Sequence, residues 1–203
     1  SFTEAFFYLN LTMPSTSERK LVAIMFTDIA DFTALSAKDE TTALELLDQQ
    51  RLILNPIIEE FKGTLHKEIG DGRLFTFPTV TDAVNCSIKI QKSTKDIKNL
   101  NLRIGIHEGE ITLKDGDVLG DDVNVASRIE PFSAIGGVAI SGKVQQNISS
   151  LKEFQTEYIG KPKLKGVAQE VKVYCITSHG LPKTDLKKVS AKLEEESQLN
   201  IFS

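Results

Sequence analysis

The sequence predicts an α+β fold, with a mainly antiparallel sheet and helices packed on one face. Three observations carry that prediction. Apolar runs of strand length and longer stretches of helical periodicity follow one another in the order β-α-β-β-α-β. The two middle strands are joined by Gly70-Asp71-Gly72, a turn too short for a crossover and suited to a hairpin. At 203 residues the chain has room for one such core with modest additions. Helices between strands, around a central hairpin, make the ferredoxin-like arrangement.

The elements follow in order. Leu21 to Phe26 is continuously apolar, as a strand buried on both faces should be. Asp39 to Phe61 is rich in helix formers, with Leu47, Leu54, Ile58 and Phe61 at helical spacing and Leu44 on the flank. Pro56 should kink or split that helix, and Gly63 should stop it. Thr64 to Ile69 and Arg73 to Phe77 are the hairpin strands, with Asp-Gly expected to make the turn. Thr81 to Ile97 reads as a second helix, burying Ala83, Ser87 and Ile90. Asn101 to Ile106 is a strand, and the chain passes through His107, Glu108 and Gly109 into another short one, Glu110 to Leu113. After a Lys114-Asp115-Gly116 turn, a short helix runs from about Asp122 to Glu130 and ends before Pro131. Val138 to Ser141 and Glu170 to Ile176 are the last strands. Residues 1–19 read as a linker, a remnant or the tail of an upstream element, 20–178 as the domain, and 179–203 as an exit linker or tail.

Composition narrows the function. A chain 40% hydrophobic and 26% charged is globular rather than disordered, and no segment has the apolar length of a membrane span. No signal peptide is readable, so cytoplasmic is the default location. Net charge is −4 and the pI near 5.5, which argues against a protein that coats nucleic-acid phosphates. Cys86 and Cys175 sit in apolar-periodic stretches and read as buried thiols, with no neighbours for a zinc site.

The chemistry points to two aspartates. Asp28 ends the first apolar run, and Asp71 sits in the hairpin turn. Taken singly, Asp28 would cap a turn and Asp71 would favour one. In the predicted sheet, however, the first strand neighbours the central hairpin, so the two carboxylates project from adjacent strands. Facing carboxylates resist ionisation unless a cation holds them, and Mg²⁺ is satisfied by one or two carboxylates plus substrate phosphates. Two-metal phosphoryl chemistry, with ions roughly 4 Å apart, uses such a pair. The turn after Asp28 can wrap phosphates with backbone N–H groups and the Thr33 hydroxyl.

Asn124 and Arg128, four apart, share one helix face; the bland reading is a solvated pair, the functional one a ribose contact and a clamp on phosphate charge. Lys67 is either an edge guard of its strand or, with Asp117, a donor and acceptor for an adenine edge. Lys165 is one of a run of exposed lysines or a mobile ammonium reaching a triphosphate. His66 and His107 have no metal-ligand spacing and read as structural. No P-loop pattern occurs.

Taken together, FTDIADFT, KEIGDGRLFTF, RIGIHEGE and GDDVNVASR resemble, in order and separation, the class III nucleotide cyclase catalytic domain, from about Lys20 to Thr177. The resemblance implies a head-to-tail homodimer with two sites at its interface. Asp28 and Asp71, with the Ile29 carbonyl, would hold two Mg²⁺ or Mn²⁺ per site. Phe32 and Thr33 would belong to the phosphate-wrapping turn. From the partner, Lys67 and Asp117 match the purine-selecting pair, Asn124 and Arg128 the transition-state pair, and Lys165 a phosphate-binding lysine, with Lys161 and Lys163 as alternatives. Lys/Asp is the adenine-type combination, where guanylate-type relatives typically have Glu and Cys.

The implied activity is an adenylate cyclase acting on ATP, with a regulatory domain elsewhere in the full-length protein. Guanylate cyclase, or a catalytically weak nucleotide-binding or dimerisation module of the same fold, are the alternatives. A diguanylate cyclase would need a Gly-Gly-Asp/Glu-Glu-Phe turn that is absent. Two departures from the family stand out. Asp31 occupies a position that is often Gly, and the segment between Gly109 and Asn124 is short.

Overall fold

The computed structural model describes residues 17–187. Its elements, in order, are β1 (Glu18–Ile29), α1 (Phe32–Lys38), α2 (Glu40–Glu60), β2 (Thr64–Ile69), β3 (Gly72–Phe77), α3 (Val80–Thr94), β4 (Leu102–Lys114), β5 (Asp117–Leu119), α4 (Asp121–Ile129), β6 (Val138–Ser141), α5 (Gly142–Ile148), β7 (Thr156–Gly160) and β8 (Val173–Ile176). The sheet runs β2-β3-β1-β4-β6-β8-β7, with β5 paired to β4. Every pairing is antiparallel except β4 with β6. The first four strands of that order are the ferredoxin-like core expected from the sequence. The readings placed on residues 1–16 and 188–203 lie outside the described residues.

Glu18 to Leu21 of β1 are exposed, Leu21 against expectation; from Val22 onward the strand is enclosed on both faces, and its alternation divides the molecule into two layers. Ala23 and Met25 point into the main core, where Leu54, Ile58, Val84 and Ile90 bring in α2 and α3. Val22 and Ile24 point the other way, against Leu74, Val118 and Ala126 of α4. The core helices α2 and α3 therefore share one face, and α4, an addition after the core, covers part of the opposite one. The face predicted for α3 is buried, with Ala83, Ser87 and Ile90 fully enclosed.

Four local expectations are corrected. Pro56 does not split α2, which continues through it. Proline deprives the Leu52 carbonyl of its helical partner, and Leu52 is 78% exposed, so water can serve that oxygen instead. Gly63 is not the left-handed residue ending α2; Lys62 takes that conformation, at φ 59°. Gly63 is small because a Cβ there would come within 2.6 Å of the Phe77 ring. The hairpin turn centres on Gly70-Asp71 rather than Asp71-Gly72, since Ile69 already pairs with Gly72. Lastly, the two short strands expected around His107 are one strand, β4, paired with β1 along all of β1's length.

α5, β7 and α1 were not foreseen: the two helices are too short to show a period, and β7 is only partly buried. Both cysteines are free and buried, and burial pushes the Cys86 thiol up to about 12. Among the described residues no helix is long and apolar enough to cross a membrane.

Candidate active site

The first group of candidate residues gathers where β1 ends. The register that pairs Thr27 with Arg73 sets the hairpin tip beside the last residues of β1. There the Ile29 N–H donates to Asp71 Oδ2 at 2.7 Å, and the Gln50 side chain donates to the Asp71 carbonyl at 3.3 Å. Asp28 is next in the chain to Ile29, close enough for its charge to act on the Asp71 carboxyl. Burial pushes the Asp71 carboxyl above its ordinary range; the Asp28 charge pushes the same way, while the Ile29 N–H and Arg103 oppose. A half-buried acid beside a second one is short of positive charge, and that fits a hard divalent cation. Among the described residues no three His, Cys, Asp or Glu side chains gather as a metal-binding group, so side-chain ligation would rest on these two.

Sequence reasoning missed the group that holds Asp28. Arg103 faces it across β4 and donates through both arms of its fork, Nε to Oδ1 at 3.0 Å and Nη2 to Oδ2 at 2.8 Å. Arg103 Nε is also 2.9 Å from Glu130 Oε1, in the single 3₁₀ turn that follows α4. A charge inside the otherwise apolar run Leu102 to Ile106 was the available signal. Past Ile29, Asp31 takes a left-handed conformation, φ 62° and ψ 15°. That explains why glycine suits the position, since a Cβ strains there, with Asp and Asn the best-tolerated exceptions. Phe32 packs against the main core and Thr33 is exposed at the start of α1.

The second group is carried by α4 and its approach. α4 lies so close to β4 that a Cβ on Gly105 would come within 2.4 Å of the Glu130 nitrogen, and one on Gly109 within 2.2 Å of the Asp122 carboxyl. Asp122 uses that space to accept from the Glu110 N–H at 2.8 Å and to meet His107 Nε2 at 3.0 Å. His107 is thus structural, as expected, and its partner ties the first turn of α4 to the sheet. Burial holds the His107 pKa below its usual value despite the Asp122 charge.

Val125, Ala126 and Ile129 are buried beneath α4, which leaves Asn124 and Arg128 exposed on its outer side, one turn apart. Arg128 has no ion-pair partner among the described residues. Lys67 Nζ and Asp117 Oδ1 are 2.6 Å apart, brought together because β5 folds back on β4. A cleft of about 380 Å³ beside them is lined by Phe26, Lys67, Leu74, Val118, Val123 and Asn124, among others. Lys165 is exposed in the loop anchored by buried Leu164 and does not line that cleft. No hydrogen bond or ion pair joins Lys67, Asp117, Asn124 or Arg128 to Asp28 or Asp71 among the described residues.

This architecture has known counterparts. Residues 15–178 match the family described as the adenylate and guanylate cyclase catalytic domain. An adenylate/guanylate cyclase/hydrolase structure from Silicibacter pomeroyi superposes with a TM-score of 0.74 at 31% identity, covering 83% of this chain and all of that one. The adenylate cyclase of Anabaena cylindrica is 27% identical over 192 residues, 81% of this chain and 38% of its own length. The receptor-type guanylate cyclase gcy-6 of Caenorhabditis elegans is also 27% identical, over 72% of this chain and 16% of its own length. The chain thus spans well under half the length of these two curated relatives. Motif order, sheet topology and a match over most of its length agree: this chain belongs to the adenylate and guanylate cyclase catalytic domain family.

Proposed function

We propose that the chain is an adenylate cyclase domain, converting ATP to 3′,5′-cyclic AMP and pyrophosphate. The observation that carries the choice of base is the Lys67–Asp117 pair, 2.6 Å apart at the edge of the cleft that Asn124 also lines. An ammonium and a carboxylate side by side offer one donor and one acceptor. That matches the ring-nitrogen acceptor and exocyclic amino donor of adenine.

In this reading Asp28, Asp71 and the Ile29 carbonyl hold two Mg²⁺ or Mn²⁺. When bound, these ions lower the pKa of the ribose 3′-hydroxyl and steady the triphosphate. The 3′-hydroxyl loses its proton to water, its oxygen forms a bond to the α-phosphorus, the bond from that phosphorus to the bridging oxygen breaks, and pyrophosphate leaves with the electron pair. Asn124 orients the ribose. Arg128 neutralises charge growing on the α-phosphate, and Lys165 meets the outer phosphates. Backbone N–H groups from Asp31 to Thr33, with the Thr33 hydroxyl, wrap the triphosphate, and Phe32 anchors that turn in the core.

The site is shared across a head-to-tail homodimer. Support comes from the described residues, among which no hydrogen bond or ion pair joins the two groups and outward-facing Arg128 has no ion-pair partner. A regulatory segment elsewhere in the full protein, and a cytoplasmic location, complete the reading.

The test is incubation with ATP and, separately, GTP, each with Mg²⁺ or Mn²⁺, and identification of the product. Cyclic AMP formed in clear preference to cyclic GMP is expected. Preferential cyclic GMP would overturn the choice of base, and no cyclic product would leave a nucleotide-binding or dimerisation module.

A further inference from the structure

Arg103 stands directly opposite Asp28 in the register of β4 against β1, and its fork occupies both oxygens of that carboxylate. A hard divalent cation at Asp28 would draw on the same two oxygens and would face the guanidinium charge already held there. Guanidinium and metal therefore compete for one acceptor. We propose that Arg103 is a positioning residue, the resident counter-ion of Asp28, which yields that carboxylate to the metal by turning onto Glu130. This rests on the assignment of Asp28 and Asp71 as metal ligands.

Three observations support the exchange. Glu130 is already in place, with Oε1 2.9 Å from Arg103 Nε and its side chain only 5% exposed. A partly buried guanidinium without a second partner would be held to Asp28 by the cost of leaving it unpaired; Glu130 removes that cost. The charge balance is also one-sided. Asp28, Asp31 and Glu130 all act on Arg103, and Asp28 acts on Asp71 as well, so this acidic neighbourhood has room for further positive charge without expelling Arg103. Finally, the placement of Glu130 depends on Gly105, whose missing Cβ lets the end of α4 rest on β4. The partner for Arg103 is therefore built into the packing of α4.

While the metal is away, Arg103 holds the Asp28 carboxylate in one orientation at the end of β1. The same grip lowers metal affinity, because each loading event must break a bidentate ion pair.

The experiment is a Mn²⁺ titration of the full chain, read from the loss of the free-ion electron paramagnetic resonance signal, with thermal unfolding followed in parallel. Asp71→Ala serves as the control for the site. Arg103→Met is expected to unfold at lower temperature without metal yet bind Mn²⁺ about tenfold more tightly, since both the competitor and its like charge are gone. Arg103→Lys keeps the charge that the fold needs but loses the fork, and should bind about threefold more tightly. A purely structural arginine would lower the unfolding temperature and leave Mn²⁺ affinity unchanged or weaker, and that result in Arg103→Lys overturns the proposal even if Arg103→Met fails to fold. If the wild-type chain and Asp71→Ala bind Mn²⁺ alike, the metal assignment itself falls.

Discussion

The end of β1 and the outer face of α4 treat their charged groups in opposite ways. At β1, every candidate carboxylate is already engaged: Asp28 by Arg103, Asp71 by the Ile29 N–H. On α4, Asn124 and Arg128 stand exposed, and Arg128 has no ion partner among the described residues. The first region is assembled by sheet register, which sets neighbours on three strands at once. The second is a platform pinned from below by Asp122 and by apolar packing, with Asn124 and Arg128 exposed on its outer side. A site needing both kinds of group is met most simply by two chains, each completing the other.

The largest expected effect attacks the assembled side. Asp71→Ala or Asp28→Ala should reduce cyclic nucleotide formation by at least about 10³-fold, as loss of a central charge-stabilising group does. The circular dichroism spectrum should be retained. Near-full activity in Asp71→Ala, with metal present, would break the comparison at its base.

Next, mixing inactive Asp28→Ala with inactive Arg128→Ala tests whether the two regions serve each other across chains. Random pairing makes half of the dimers mixed, each with one intact site, so activity should return to about a quarter of wild type. Continued silence from demonstrated heterodimers would place both regions in separate functions.

A smaller effect sharpens how α4 is held. Because burial keeps the folded His107 pKa below its ordinary value, the unfolded chain takes up a proton that the folded chain refuses once pH drops below about 6.5. Stability is unaffected above that pH and declines below it, levelling when the folded pKa is passed. His66, also lowered by burial, adds a loss of the same sign. The Asp122 carboxyl, held below its usual range, titrates only in stronger acid. Wild type should therefore lose about 2–4 °C of melting temperature for each 1 kcal/mol forfeited between pH 7 and 5.5. His107→Asn should lose less over that range, and an identical pH slope would refute the role given to the buried imidazole.

The smallest effect concerns Asp31. Replacing it with Gly relieves a left-handed backbone, worth about 1 kcal/mol, and removes a carboxylate from the turn proposed to wrap phosphate. Melting temperature should rise by a few degrees and ATP analogues should bind a few-fold more tightly in calorimetry. Unchanged affinity would mean that the carboxylate already points clear of the triphosphate.

Much of this was legible in the linear chain, and the failures have physical causes. The boundaries of β6 follow from a short continuous apolar run, and the buried face of α3 follows from helical spacing. α5 spans too few residues for a helical interval to register, and β7 is only partly buried, so no apolar run marks it. Pro56 looked like a helix breaker because its neighbours' exposure is a tertiary property. Asp28 and Asp71 were found because one ends a strand and the other makes a turn. Arg103 was passed over, since a cation in a strand has no local pattern that reveals what lies across the sheet.

The order of elements, the cyclase-like motif series and the presence of two strategically placed acids belong to the sequence, because they depend on residue type and on spacing along the chain. Which groups face one another was decided only by folding. Pairing of β1 with β4 sets Arg103 on Asp28, and return of β5 along β4 brings Asp117 to Lys67. Two missing methyl groups, at Gly105 and Gly109, let α4 settle on the sheet with Glu130 beneath it. These are relations between segments distant in the chain, fixed by register and close packing, and neither is written in any single stretch of residues.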